Sequence, residues 1–264
     1  MCRLFGLYAN RFVDVYFSFY VTPKGSFITQ SHGNPDGWGI AWLDDESWHI
    51  FKEPLALYKS GRAMELIRRI IQGKIIVSHV RLASTGVPRL ENTHPWLYKG
   101  WVFAHNGTIS KLDLLRFLRE DYRAGLEGDT DSEVFFHLIV QEANEVGDPI
   151  EGIRGAISKI VGNNIGFSSL NFIASDGERL YALRYARSHL DYYTLYYIER
   201  PCEGLELRRL SKETRQLISM KLASGEKAVI VASEIMSNEP YWRLIPNKHL
   251  ALIDRDLNVE LIRI

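Results

Sequence analysis

The sequence predicts an α+β fold, and three observations carry that prediction. Runs of strand length rich in β-branched and aromatic residues recur along the chain, as in 4–8, 74–81 and 227–233. Helical spacing of apolar residues is confined to a few segments, chiefly 62–71 and 149–161. Finally, the later strands follow one another through turns such as Asp176-Gly177, so strands are not strictly interleaved with helices. The 264 residues allow one large domain or two small ones; no repeat, low-complexity tract or Gly/Ser linker divides them, so a single domain over 1–264 is expected. The apolar share of 46% against 24% charged fits a soluble globular protein. Thirty-two acids balance 32 bases, which leaves no global field to favour nucleic acid or a membrane surface, and no apolar run approaches transmembrane length. Two cysteines, Cys2 and Cys202, are too few for a disulfide framework. Without a targeting segment, the cytoplasm is the expected compartment.

The chain opens on Met1-Cys2-Arg3, and the apolar run 4–8 behind it reads as a buried strand. A small residue after the initiator Met permits its removal, which would give Cys2 both a thiol and a free α-amine. An amine with a reference pKa of about 7.7–8.0 can serve as base to a thiol of about 8.5. The plainer reading is a small apolar residue at a frayed terminus. Residues 10–27 have no clear pattern. His32-Gly33-Asn34-Pro35-Asp36-Gly37-Trp38-Gly39 is dense in turn signals, and the stretch reads either as a loop before a hairpin or as a wall of a pocket with Trp38 as its lid. Strands at 40–43 and 48–51 form that hairpin around Asp44-Asp45. The helix over 62–71 stops at Gly73. Strand 74–81 ends in His79-Val80-Arg81, where a guanidinium can grip a carboxylate bidentately or simply form a surface ion pair.

Residues 91–96 read as a loop, and strand 101–104 runs into His105-Asn106-Gly107. An Asn amide beside a Gly N–H can aim two donors at one point, as an oxyanion requires; the alternative is an Asn-Gly hairpin turn. Ser110 is placed to cap a helix over 111–118. Thr130 and Glu133 form a capping box that sets Asp131 in the first turn of a helix, where it complements the dipole or holds a ligand ammonium. Strands are expected at 168–174, 179–185, 192–198, 227–233, 250–253 and 259–262, with a helix at 212–222. The Tyr-rich stretch 185–197 suits a half-exposed sheet better than a site. His79, His94 and His105 lack metal-ligand spacing, no Gly-x-Ser-x-Gly elbow is present, and Cys202 is assigned no chemistry.

Taken together, Cys2, Arg81, Asn106-Gly107 and Asp131 supply a nucleophile, a carboxylate clamp, an oxyanion hole and an ammonium anchor. That inventory matches a γ-glutamyl amide with free α-amino and α-carboxylate groups. Met1-Cys2, His79-Val80-Arg81-Leu82-Ala83-Ser84, His94-Pro95, His105-Asn106-Gly107 and Thr130-Asp131-Ser132-Glu133, in this order across the first half of the chain, resemble the class II glutamine amidotransferases of the N-terminal nucleophile hydrolase superfamily. The stretches 32–39 and 91–95 are most similar to the small stand-alone branch, which includes the γ-glutamyl amidohydrolase of ergothioneine biosynthesis. The resemblance implies a four-layer αββα sandwich of two antiparallel sheets and a reaction without metal or other cofactor. It implies that Cys2 attacks the γ-carbonyl, Asn106 and Gly107 stabilise the oxyanion, Arg81 binds the α-carboxylate, and Asp131 with Gly107 holds the α-ammonium. Trp38 and His79 are assigned to the substrate side of the pocket.

Two departures stand out. Synthase members carry Trp after the clamp Arg and His three residues later, where this chain has Leu82 and Thr85. They also carry an acceptor domain, which this sequence is too short to contain, so ammonia channelling within the chain is not expected. Three readings follow: a Cys-dependent glutaminase or γ-glutamyl amidohydrolase, a glutaminase subunit serving a separate synthase, and an inactive glutamine-sensing module. The sequence leaves the leaving group and the oligomeric state open.

Overall fold

The computed structural model describes residues 2–22, 25–201 and 212–264; Met1 and Cys202 lie outside them. Among the described residues, thirteen strands run in chain order as β1 Arg3–Val13, β2 Trp38–Leu43, β3 Trp48–Glu53, β4 Gly73–Val80, β5 Trp96–Tyr98, β6 Trp101–Asn106, β7 Asn171–Ser175, β8 Leu180–Arg184, β9 Tyr196–Arg200, β10 Ala228–Ala232, β11 Arg243–Leu244, β12 His249–Ile253 and β13 Val259–Arg263. The helices are α1 Phe27–Ser31, α2 Ala63–Arg69, α3 Lys111–Leu115, α4 Glu120–Arg123, α5 Asp131–Val146, α6 Pro149–Gly162 and α7 Lys212–Ser224. The strands form two sheets, ordered β11-β9-β10-β1-β4-β2-β3 and β13-β12-β8-β7-β6-β5. Neighbouring strands pair antiparallel throughout both sheets.

Alternation along the strands builds the layers, because successive side chains point to opposite faces. On β1, Phe5, Leu7 and Ala9 face an outer core shared with Phe27, Leu66 and Ile67. Leu4 and Tyr8 face inward, against Val102, Ile173 and Leu180 of the second sheet. That sheet's other face carries Phe103, Phe172 and Leu183, packed on Phe135, Phe136 and Ile139 of α5 and on Ile153 and Ile157 of α6. The order helix, sheet, sheet, helix is the four-layer sandwich that the family resemblance implies.

Local chemistry explains both ends of α5. Thr130 caps α5 by accepting the Glu133 N–H, and Gly147 ends it at φ 75°. The second half of the expected box differs: the Glu133 carboxylate accepts the N–H groups of Glu127 at 2.7 Å and Gly128 at 2.8 Å, tying down the preceding loop. Several expectations need correction. Strand β1 runs on to Val13, and two short helical turns, Phe17–Val21 and α1, fill the stretch without a pattern. Gly73 lies beyond the end of α2 and begins β4, where a Cβ would press on Trp42 of β2. The helix after Ser110 ends at Leu115, and the Ser110 hydroxyl donates to the Asp113 carboxylate instead of capping the backbone. The 91–96 loop ends in a strand, and Asn106-Gly107 closes no hairpin: the chain runs on to bridge Ile109 with Phe167. Strand β9 begins only at Tyr196, leaving Tyr192 and Tyr193 in a loop. Among the described residues, no helix is long and apolar enough to cross a membrane.

Candidate active site

Strand register brings the first candidates together. In the antiparallel pair β1–β4, Arg3 faces Val80, so Cys2, just before β1, lies beside the chain leaving β4. The Leu82 N–H approaches the Cys2 Sγ at 3.3 Å, and the thiol reaches the Leu82 carbonyl at 3.3 Å. Burial pushes the Cys2 thiol above its ordinary pKa; the Leu82 N–H and the charges of Arg81 and Arg3 act in the opposite direction.

From the second sheet, β6 delivers Asn106 to the same place. Asn106 is only 3% exposed, and its side-chain nitrogen has no hydrogen-bond partner among the described residues. A buried amide donor left unpaired costs stability, so its retention needs a reason. Gly107 follows, and a Cβ at this position would lie 1.9 Å from the Ser169 carbonyl oxygen, so the close approach of the two backbones requires glycine. Cys2, Asn106 and Gly107 line one cavity of about 170 Å³, with Leu82, Ala83, Ser84, Thr108, Tyr192 and Tyr193.

Arg81 and Asp131 adjoin this cavity without lining it. The Arg81 guanidinium donates to the carbonyls of Thr85 at 2.6 Å, Gly86 at 3.0 Å and Val87 at 3.4 Å. The Asp131 carboxylate accepts the Thr85 hydroxyl at 2.8 Å and the Ile109 N–H at 2.6 Å. Thr85 therefore joins the two charged groups, and Asp131 links the segment after Arg81 to the segment after Gly107. Asp36 supports the same loop by accepting the Ala83 N–H at 2.9 Å, while its own N–H donates to the Arg81 carbonyl at 3.0 Å.

The structure does not bring Trp38 or His79 into the cavity. Trp38 is fully buried in the outer core against Phe51, and its indole N–H donates to Glu53 at 2.9 Å, so it is no lid. His79 points between the sheets and stacks on His94 with ring centroids 4.0 Å apart. Burial, reinforced by Arg81, pushes its pKa down to about 3, so the ring is neutral at pH 7. His105 bonds Ser132 and the Ser169 carbonyl instead. Among the described residues, no group of three His, Cys, Asp or Glu side chains could hold a metal ion.

Tyr192, Tyr193 and Thr108 line the cavity and were not foreseen as part of the site. The tyrosines read as sheet residues because aromatic density is a strand signal. No motif spacing marked any of them, since they reach the cavity through loops joined across the two sheets.

Comparison with known proteins bears on the family and the fold. The family model described as "Glutamine amidotransferases class-II" matches residues 1–262. An uncharacterized protein of Methanocaldococcus jannaschii is 29% identical, covering 95% of this chain and 68% of its own length. An amidophosphoribosyltransferase of the same organism is 32% identical over 61% of this chain and 34% of its own length. The solved structure of a glutamine aminotransferase class-II domain protein from Silicibacter pomeroyi superposes over the whole of both chains, with a TM-score of 0.65 at 19% identity. With a family match across nearly its full length and the matching fold, the chain belongs to the class II glutamine amidotransferases.

Proposed function

We propose that this protein hydrolyses the γ-amide of glutamine or of a γ-glutamyl compound, with Cys2 as nucleophile. The observation that carries the reading is the meeting of the Cys2 thiol with the unpaired Asn106 amide and Gly107 in one cavity. Removal of Met1 frees the Cys2 α-amine, which takes the thiol proton as Sγ bonds to the γ-carbonyl carbon. Negative charge then develops on the carbonyl oxygen, where the Asn106 side chain and the Gly107 N–H donate to it. The protonated Cys2 amine returns its proton to the departing nitrogen, the C–N bond breaks, and a γ-glutamyl thioester remains. Water, with the amine again as base, adds to the thioester carbonyl; the C–S bond then breaks, the proton returns to Sγ, and glutamate leaves. Arg81 binds the α-carboxylate and Asp131 the α-ammonium. For this, the carbonyls at 85–87 must yield the guanidinium and the Thr85 hydroxyl must release Asp131, so the 82–87 segment moves as substrate binds.

A second reading, a subunit that passes ammonia to a separate synthase, is favoured by two features. Leu82 and Tyr192 line the cavity with exposed side chains, 39% and 51% accessible. In addition, this chain matches only about a third of the amidophosphoribosyltransferase it resembles.

The test is glutamate release from glutamine and from γ-glutamyl amides, together with intact mass before and after a diazo-ketone analogue of glutamine. Loss of Met1, one adduct on Cys2, and turnover abolished in a folded Cys2→Ala variant are expected. Turnover that survives Cys2→Ala would sink the proposal. Labelling without turnover, relieved only by an added synthase, would transfer support to the second reading. Stoichiometric glutamine binding with neither labelling nor turnover would mark a sensing module.

A further inference from the structure

A second cavity, of about 420 Å³, lies away from Cys2 and is larger than the one around it. Its volume falls in the range of small-molecule sites. Its apolar walls are Ile165, Phe167, Tyr185 and Leu190. Arg187 and Lys248 stand at its edge, with Arg187 5.9 Å from the Phe167 ring centroid and Lys248 5.7 Å from that of Tyr185. No Asp or Glu is among the lining residues, so two cations face aromatic surface with no acid between them.

The frame of this cavity is fixed. The Asn247 side chain clamps Ala186, accepting its N–H at 2.8 Å and donating to its carbonyl at 3.0 Å. The Lys248 N–H donates to the Arg184 carbonyl at 2.7 Å, and the Arg187 N–H to the Ser168 carbonyl at 3.1 Å. A preformed slot of this kind limits the ordering cost of binding.

The same chain segment also walls the catalytic cavity. Leu190 faces the larger cavity, while Tyr192 and Tyr193 line the one that holds Cys2. Arg184, 4% exposed, holds both ends of this segment: its guanidinium donates to the Leu190 carbonyl at 2.8 Å and the Tyr193 carbonyl at 3.0 Å. A ligand pressed against Leu190 therefore acts on a segment whose other end shapes the space around the nucleophile.

We propose that the larger cavity is a regulatory site for a planar aromatic anion, an aryl or heteroaryl ring bearing a carboxylate or phosphate. The ring lies against Tyr185 and Phe167, the anion meets Arg187 and Lys248, and occupancy changes the reactivity of Cys2 through residues 190–193. Calorimetric titration of the full chain with 2-naphthoate, 2-naphthyl phosphate and neutral 2-naphthol tests the site. The two anions distinguish a carboxylate from a phosphate ligand. At least one anion is expected to bind saturably, at least tenfold more tightly than the naphthol, and to lose about tenfold in affinity in each of Arg187→Glu and Lys248→Glu. Equal melting temperatures establish that these variants fold, and Arg187→Gln with Lys248→Gln repeats the comparison more gently. Absence of saturable binding, equal affinity for the naphthol, or affinity unchanged in the variants would overturn the site. The coupling is read as the rate of Cys2 alkylation by iodoacetamide, followed by peptide mass to separate it from Cys202. A severalfold change with the anion bound is expected, and an unchanged rate at saturation would overturn the regulatory role. Neither readout requires glutamine turnover, so this inference and the proposed activity stand or fall separately.

Discussion

Asn106 shows at the scale of one residue how a cost to folding can mark a site. Its side-chain nitrogen is buried without a partner among the described residues, so truncation removes no hydrogen bond from that nitrogen to them. If it donates to a developing oxyanion, Asn106→Ala should lower kcat by about 10²–10³-fold while leaving KM and the melting temperature nearly unchanged. Steady-state kinetics beside a thermal melt checks this; a large loss of stability with kcat intact would make the residue structural. Arg81 is the opposite case, because its guanidinium already binds three carbonyls. Arg81→Lys keeps the charge but cannot reproduce the planar fork. It should raise KM for glutamine by at least tenfold and also loosen the 82–87 segment, which proteolysis would detect as faster cleavage there. Unchanged KM would remove Arg81 from substrate binding.

Elements were legible in the sequence to the extent that their own residues specify them. Strand β4, helix α6 from Pro149, and the Thr130 cap of α5 follow from period and capping chemistry written locally. The candidate site was legible through residues that end strands, namely Cys2, Arg81 and Asn106-Gly107. Tyr192 and Tyr193 were not, because their loop is fixed from elsewhere, by Arg184 and by Asn171 donating to the Tyr193 carbonyl at 3.3 Å. Trp38 misled for a related reason: a Trp beside turn glycines can face either way, and the pairing of β2 with β3 and β4 turned it into the outer core. Helix pairing is set by a contact between neighbouring elements. At Gly152 in α6, a Cβ would lie 2.3 Å from the Ala143 Cα of α5. Gly152→Val must force the helices apart and should cost about 1–3 kcal/mol, read as a lowered urea midpoint with an unchanged slope. A midpoint equal to wild type would show that the helices separate freely.

For the whole molecule, the contact that joins the sheets also limits its tolerance of acid. His79 belongs to β4 of one sheet, and His94 leads into β5 of the other. Their rings stack 4.0 Å apart, and His94 packs on Trp96 with centroids 4.0 Å apart. None of the four ring nitrogens has a partner among the described residues, so a proton on either ring places an uncompensated charge between the sheets. Burial accordingly pushes His79 down to about 3 and His94 well below its ordinary value. In the unfolded chain both rings return to about 6.5. Below that pH the unfolded state binds protons that the folded state refuses, so stability falls as pH drops from about 6.5 towards 3. Each ring contributes a slope of up to about 1.4 kcal/mol per pH unit in that window, and neither contributes above it. His79→Gln, which cannot titrate, should lower stability at pH 7 yet flatten the dependence between pH 6 and 4 by up to one ring's share. Urea melts of both proteins across that range measure the difference. Parallel curves would mean that His79 takes up its proton in the folded protein, and that the space between the sheets admits water to the ring.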